Sequence, residues 1–312
     1  MSDKPVSSPE RRFALPLLGV ASLLAMGFAW SGMYTLVKIA TALGASTVGL
    51  AMWESLGAGC ILMLVCLAGR RSIPLGPVHL RYFFTSALIG VSLPGVAIFA
   101  AAGHLPVGVT SLIPTMIPIF TYGLAVALRL EKFIALRALG IVAGFAGALL
   151  IVLPEASLPE PAMANWVLLG LVAALLYATQ NVYIARYTPA GTDVLAITCG
   201  TLTAGGIILI PVLVYLGGWV VPQPPYDAVD ASALGIATIS AFPSLAYVWV
   251  LRRLGPVYAS QTAYFVTGTG VLIGMLLYGE RHSLWVWSAL ALTCLGVALV
   301  TAGQHREPEP AE

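Results

Sequence analysis

Ten long apolar runs, separated by short stretches that hold most of the charge, constrain this chain more than any other feature. They extend approximately over Leu15–Ala40, Val48–Ala68, Leu80–Gly103, Val107–Leu128 and Ala138–Leu153, then over Trp166–Ile184, Leu195–Leu216, Ala231–Leu251, Val257–Tyr278 and Leu284–Ala302. Crossing the hydrocarbon core of a bilayer takes about 20 apolar residues per helix, so the pattern predicts an all-α integral membrane protein with ten transmembrane helices. Composition leaves no soluble alternative. Of 312 residues 59% are apolar and 9% charged, against about 45–50% and about 25% in soluble domains, too few charges to cover a water-facing surface. A net charge of +2 points to no nucleic-acid partner. Cys60, Cys66, Cys199 and Cys294 fall inside apolar runs without CxxC spacing and read as small buried residues, neither a disulfide framework nor a metal site. The first run follows Arg11 and Arg12 but exceeds the roughly 7–15-residue core of a signal peptide and lacks a small-residue cleavage site, so it reads as a retained span.

Basic residues stay on the cytoplasmic side of a membrane. With the N-terminus inside and ten alternating spans, the inside segments hold Lys4, Arg11, Arg12, Arg70, Arg71, Arg81, Arg129, Lys132, Arg137, Arg186, Arg252, Arg253 and Arg306, and the outside keeps only Lys38 and Arg281. An odd number of spans would scramble this bias, so both termini are expected in the cytoplasm. The expected organisation is a cytoplasmic tail over 1–14, five helices over 15–153, an external linker over 154–165, five helices over 166–302 and a second cytoplasmic tail over 303–312.

A shift of 149 residues aligns the third to fifth runs with the eighth to tenth. Pro94 falls on Pro243, Ala97 on Ala246, Leu105 on Leu254, Ser111 on Ser260, Glu131 on Glu280, Lys132 on Arg281 and Gly147 on Gly296. Each repeat holds five spans, so the two halves enter the membrane in opposite directions. The charges agree: Gly103–His104 lies outside, and its counterpart Arg252–Arg253 lies inside. Inverted repeats characterise many secondary transporters, whose substrate site lies near the midplane where the halves meet.

These residues resemble the drug/metabolite transporter superfamily, EamA type. Trp30-Ser31 followed by Lys38 is similar to the family's first-span Trp-Gly…Lys pattern. Pro118, Leu130-Glu131-Lys132, Gly140 and Gly147 resemble its fourth and fifth spans, and Gly279-Glu280-Arg281 with Gly296 repeats that pattern in the second half. The resemblance covers nearly the whole chain and implies a ten-span permease that exports or exchanges small metabolites, amino acids among them. It places any dimer contact near the fifth and tenth spans, so a monomer and a homodimer both stay open. The chain departs from the family pattern at Glu54, where a basic residue is usual, at Thr267, which stands for a counterpart of Pro118, and at Ala178 or Tyr177 opposite Trp30.

Trp30, Tyr34 and Lys38 share one helix face. Trp30 and Tyr34 either line a cavity or pack internally; Lys38 either meets substrate or snorkels to the headgroups. Glu54 is the one carboxylate clearly within a span. It either titrates and couples transport to protons or forms a structural pair with Lys38 at an outer gate, the reading favoured here because an unpaired acid in a membrane is costly. Tyr177, Gln180 and Asn181 share a face of the sixth span, and Gln261, Tyr264 and Thr267 lie along the ninth; Tyr247 follows Pro243 by one turn. Such polar groups bind a polar substrate or tie helices together. Pro94, Pro114, Pro118 and Pro243 are expected to kink their spans. Gly140-xxx-Gly144 and Gly270-xxx-Gly274 read as close helix contacts, and Glu131 and Glu280 as ends of spans paired locally with Lys132, Arg137 or Arg281.

Other classes fare worse. GxSxG, HExxH and Walker motifs are absent, which argues against an intramembrane enzyme and against ATP drive. No cofactor or metal is expected. A non-transporting scaffold would not need inverted repeats. Anionic sugar-linked or phosphorylated cargo would want several basic residues in the spans, where only Lys38 is at hand, so neutral, zwitterionic or aromatic metabolites fit better. An Ala/Gly-rich chain of this kind is expected in a bacterial inner membrane.

Overall fold

A computed structural model describes residues 9–130, 133–152, 160–222, 224–254, 259 and 262–304. Ten long helices and no strand occur among them: α1 Pro9–Ala42, α2 Thr47–Ala68, α3 Pro77–His104, α4 Val107–Ala127, α5 Ala135–Val152, α6 Met163–Tyr187, α7 Val194–Leu216, α8 Ala228–Leu254, α9 Thr262–Tyr278 and α10 Leu284–Gln304. Among the described residues seven of these, α1 to α4 and α6 to α8, contain a segment long and apolar enough to cross a membrane, while α5, α9 and α10 give shorter apolar segments. Their starts follow the local chemistry. Ser46 accepts the Gly49 N–H at 3.4 Å ahead of α2, and Asp193 accepts the Leu195 N–H at 2.7 Å ahead of α7, satisfying amides that a helix leaves without partners. The surface is the reverse of a soluble protein's, with Phe28 61%, Leu64 67% and Leu276 81% exposed.

The long-range packing runs mostly between the halves. Helix α1 packs on α8 and α9 of the other half, and α6, its repeat counterpart, packs on α3 and α4. The α2·α8 contact is mirrored by α3·α7, while α2·α7, α4·α9 and α5·α10 pair counterparts directly. The α5–α10 seam is reciprocal residue by residue. A methyl at Gly296 would stand 2.6 Å from the Gly140 carbonyl oxygen and 2.8 Å from the Gly144 nitrogen; one at Gly147 would stand 2.9 Å from the Ala289 carbonyl and 2.4 Å from Thr293 Oγ1. Shifted by 149 residues, Gly140, Gly144 and Gly147 become Ala289, Thr293 and Gly296, so each contact maps onto the other. Absence of a side chain is what lets the two backbones approach.

The expected kinks take different forms. In α3 a π-helical turn at Leu88–Ser92 precedes Pro94, and in α4 Pro114 sits in a 3₁₀ turn at Ile113–Thr115, with Pro118 buried one turn on. α8 runs unbroken through Pro243, and α7 likewise holds Pro211. A second π-helical turn, Trp53–Gly57, interrupts α2 with no proline in it and contains Glu54.

Candidate functional site

The interlocked halves enclose a central cavity of about 160 Å³, where a single water needs only about 10–15 Å³. Helices α1 to α4 and α6 to α9 all contribute to its wall, and α5 and α10 contribute none of the described residues. Trp30 and Tyr34 stand on it from α1, Glu54 from α2, Pro114 from α4, Tyr177, Gln180 and Asn181 from α6, and Tyr247 from α8. All eight are candidates from the sequence alone. The wall also holds Tyr82, Ser86 and Gly90 on α3, Thr198 and Thr201 on α7, and Ser244, Thr262 and Ala263, which are not among those candidates. Tyr82, Ser86 and Gly90 repeat the spacing of Trp30, Tyr34 and Lys38, a signal that was legible. Small residues such as Ala263 gave none.

Two expected wall residues lie elsewhere. Tyr264 packs into the main core, and buried Thr267 donates to the Ser111 carbonyl at 2.6 Å. The wall face of α9 is Thr262, Ala263 and Val266; at about 100° per residue, Thr267 is about a quarter turn away and Tyr264 nearly opposite. Gln261 lies outside the described residues, as do Glu131 and Lys132. Pro94, Pro118 and Pro243 are not on the wall.

The wall is chemically uneven. Tyr247 Oη donates to Asn181 Oδ1 at 3.0 Å, and Asn181 Nδ2 reaches Thr121 Oγ1 at 3.5 Å, tying α6 to α8 and α4. Gln180 Nε2 donates to Ser86 Oγ at 3.3 Å. The rings of Trp30 and Tyr247 meet edge to face at 5.5 Å between centroids. Ser240 Oγ donates to Glu54 Oε1 at 3.0 Å. Glu54 is the one charged residue on the wall among the described residues.

Lys38 does not pair with Glu54. Its Nζ lies 3.5 Å from Glu280 Oε1, 3.4 Å from the Leu105 carbonyl and 4.8 Å from the Tyr278 ring centroid. The physical reason is that α1 packs chiefly on α8 and α9, not on its sequence neighbour α2. Nor does Glu280 pair locally with Arg281. It turns inward and accepts the N–H groups of Val107 at 2.6 Å and Gly108 at 3.0 Å, at the start of α4, where a carboxylate meets the positive end of the helix dipole. His282 Nε2 stands 3.6 Å from Glu280 Oε2, an ionic distance without a hydrogen bond. Burial holds the His282 imidazole below its ordinary pKa, with the Glu280 carboxylate pulling the other way. A methyl at Gly274 would come within 2.4 Å of Glu280 Oε2, so a side chain there would push the carboxylate from this position.

This cluster lies beyond one end of the cavity, whose wall on α9 stops at Val266, about three turns short of Tyr278. In the other direction the wall reaches Tyr82, Ile184, Ile197 and Val248, near the ends of α3, α6, α7 and α8. That end carries Arg71 paired with Asp193, and Arg252 donating to the Thr192 carbonyl at 2.8 Å.

A polytopic helical chain whose two repeats interlock around a partly polar cavity is built like a membrane transporter. The EamA-like transporter family profile matches residues 17–153 and again 164–302; the chain belongs to that family and is an integral membrane protein, not an enzyme. The uncharacterized inner membrane transporter YedA of Escherichia coli K12 is 27% identical, over 95% of this chain and 94% of its own. Protein PecM of Dickeya dadantii is 31% identical over 75% of each chain. The "Probable terminal-alkyne amino-acid exporter" of Streptantibioticus cattleyicolor is 24% identical, over 89% of this chain and 95% of its own. One solved structure, described only as the crystal structure of a protein, superposes with a TM-score of 0.65 at 15% identity over 92% of this chain and 99% of its own, which speaks to the fold alone.

Proposed function

We propose that the chain is a ten-span secondary transporter that moves small neutral, zwitterionic or aromatic metabolites, amino acids or related compounds, outward or in exchange, through the cavity between its inverted repeats. The carrying observation is a cavity walled by eight helices from both halves, extending toward one end of the molecule, with the Lys38–Glu280 cluster beyond the other, read here as a latch. Rocking of 15–153 against 166–302 would open it to each side in turn, the substrate site staying near the midplane. The basic residues favour both termini in the cytoplasm, a bacterial inner membrane, and the arginine-rich end as the cytoplasmic one. On that orientation the latched end is external, and Lys38 and Glu280 act as its gate.

The wall residues Trp30, Tyr34, Tyr177, Gln180, Asn181 and Tyr247 are the proposed substrate contacts, with Glu54 as the charged centre. The amino-acid exporter among the relatives supports this cargo range, and a wall without Lys or Arg among the described residues disfavours phosphorylated or sugar-linked anions. A small-molecule cargo and the lipid bilayer are the proposed partners. The test is untargeted mass spectrometry of metabolites inside and outside cells that overexpress the chain or its Tyr34→Ala variant. A metabolite class accumulating outside, and lost with the variant, supports export; depletion of the outside pool makes the protein an importer.

A further inference from the structure

Resting on the transporter reading, the cavity carries one step more about its cargo. Glu54 is held by neutral groups only: Ser240 satisfies Oε1, while Oε2 has no hydrogen-bond donor among the described residues and lies toward Gly95 of α3. Neither Lys38 nor any other described Lys, Arg or His forms an ion pair with it. The described wall has no other charged residue, and its other polar side chains carry hydroxyls, amides and the Trp30 indole N–H. Tyr34 and Tyr177 stand on the same wall as Glu54, as do Trp30 and Tyr247, which are in mutual ring contact. A carboxylate enclosed in protein takes up either a proton or a counter-cation, and the electron-rich rings on this wall favour the cation.

We infer that the cargo supplies this cation: the cavity takes an organic ammonium compound, its nitrogen on Glu54 and its carbon skeleton against Trp30, Tyr34, Tyr177 and Tyr247. A carboxylate on the cargo would find only neutral donors, so an aromatic amine binds better than the corresponding free amino acid, and the corresponding acid binds worst.

The experiment uses the purified full chain in detergent, with radiolabelled phenethylamine and tryptamine as probes and 2-phenylethanol, phenylalanine and 3-phenylpropionate as competitors. Saturable binding of an amine is expected, with competition strongest for unlabelled amine, weaker for phenylalanine and phenylethanol, and absent for phenylpropionate. Glu54→Gln is expected to weaken amine binding about tenfold or more, since hydrogen bonds to charged groups are the strong ones, while Glu54→Asp keeps most of it. Size-exclusion and thermal-unfolding profiles identify a variant that has failed to fold. Amine binding unchanged in folded Glu54→Gln overturns the inference; so does equal competition by phenylethanol and phenylpropionate, or absence of saturable binding of either amine to the folded parent chain. Proteoliposome flux separates the two readings. Amine binding without flux sinks the transporter reading alone, whereas amino-acid flux indifferent to Glu54→Gln leaves transport standing and sinks the ammonium site.

Discussion

The two halves meet in two ways, along the α5–α10 seam and around the cavity, and these contacts have diverged differently. At the seam the repeat is still symmetric: Gly147 faces Ala289 and Thr293, and Gly296 faces their counterparts Gly140 and Gly144. Around the cavity the helix pairing is equally symmetric, but the chemistry is not. The first half supplies Glu54, Trp30 and Tyr34; the second supplies Gln180, Asn181 and Tyr247. Where only close packing is asked of a surface, both copies keep small residues. On the proposed reading, a single charged group suffices where a molecule is bound, and its counterpart is free to drift.

The largest effect is expected at the seam. Gly296→Leu drives a side chain into the backbone of α5, and overpacking of that kind costs about 1–3 kcal/mol or more. Thermal unfolding in detergent should show a clearly lower midpoint, and Gly147→Leu should match it because the contact is reciprocal. A large effect at one site only would break the symmetry argument. Second comes the cavity: Glu54→Gln should lower cargo flux or binding about 10- to 100-fold and leave the unfolding midpoint nearly unchanged, the opposite signature to the seam.

Third, Glu280→Gln removes the charge that joins α1, α4 and the α9–α10 turn, and should raise reactivity of cavity residues from the latched side. Gly274→Val, whose first side-chain carbon would crowd Glu280 Oε2, should do the same; unchanged reactivity in both would remove the latch. Fourth, Tyr247→Phe deletes one hydrogen bond to Asn181 and should cost about 1 kcal/mol, read as a modest fall in the unfolding midpoint. Smallest is a pH effect. His282 has a folded-state pKa below its ordinary value of 6.5, so the folded chain favours the neutral ring. Its contribution is complete above that value and is lost as pH falls below 6.5 and through the folded pKa. The unfolding midpoint should drop over that acid range, and His282→Gln should flatten the drop.

The helices and the repeat were legible because both write themselves in spacing: apolar runs set each helix, and a fixed offset carried Gly147 onto Gly296. Trp30 with Tyr34, and Tyr177 with Gln180 and Asn181, were legible as shared helix faces. What the sequence hid was which helices touch. Glu54 and Lys38 stand on successive helices, yet α1 leaves α2 for α8 and α9, so Lys38 finds Glu280, 242 residues along the chain. Thr267 was singled out for its hydroxyl, but polarity does not say which face of α9 is wet, and the hydroxyl is spent on the Ser111 carbonyl. The π-helical turn that carries Glu54 has no proline or glycine pair to announce it.

The most direct test of the account is side-specific labelling of a cavity residue. Ser244→Cys, on the wall in a background with Cys60, Cys66, Cys199 and Cys294 replaced, would be treated with a membrane-impermeant maleimide in oriented vesicles. Labelling is expected from the arginine-rich side in the resting chain, from the latched side as well when Glu280→Gln is added, and less from either when cargo is bound. Indifference of the labelling to both the latch and cargo, or reactivity from neither side in any state, would contradict a cavity that opens alternately between the two halves.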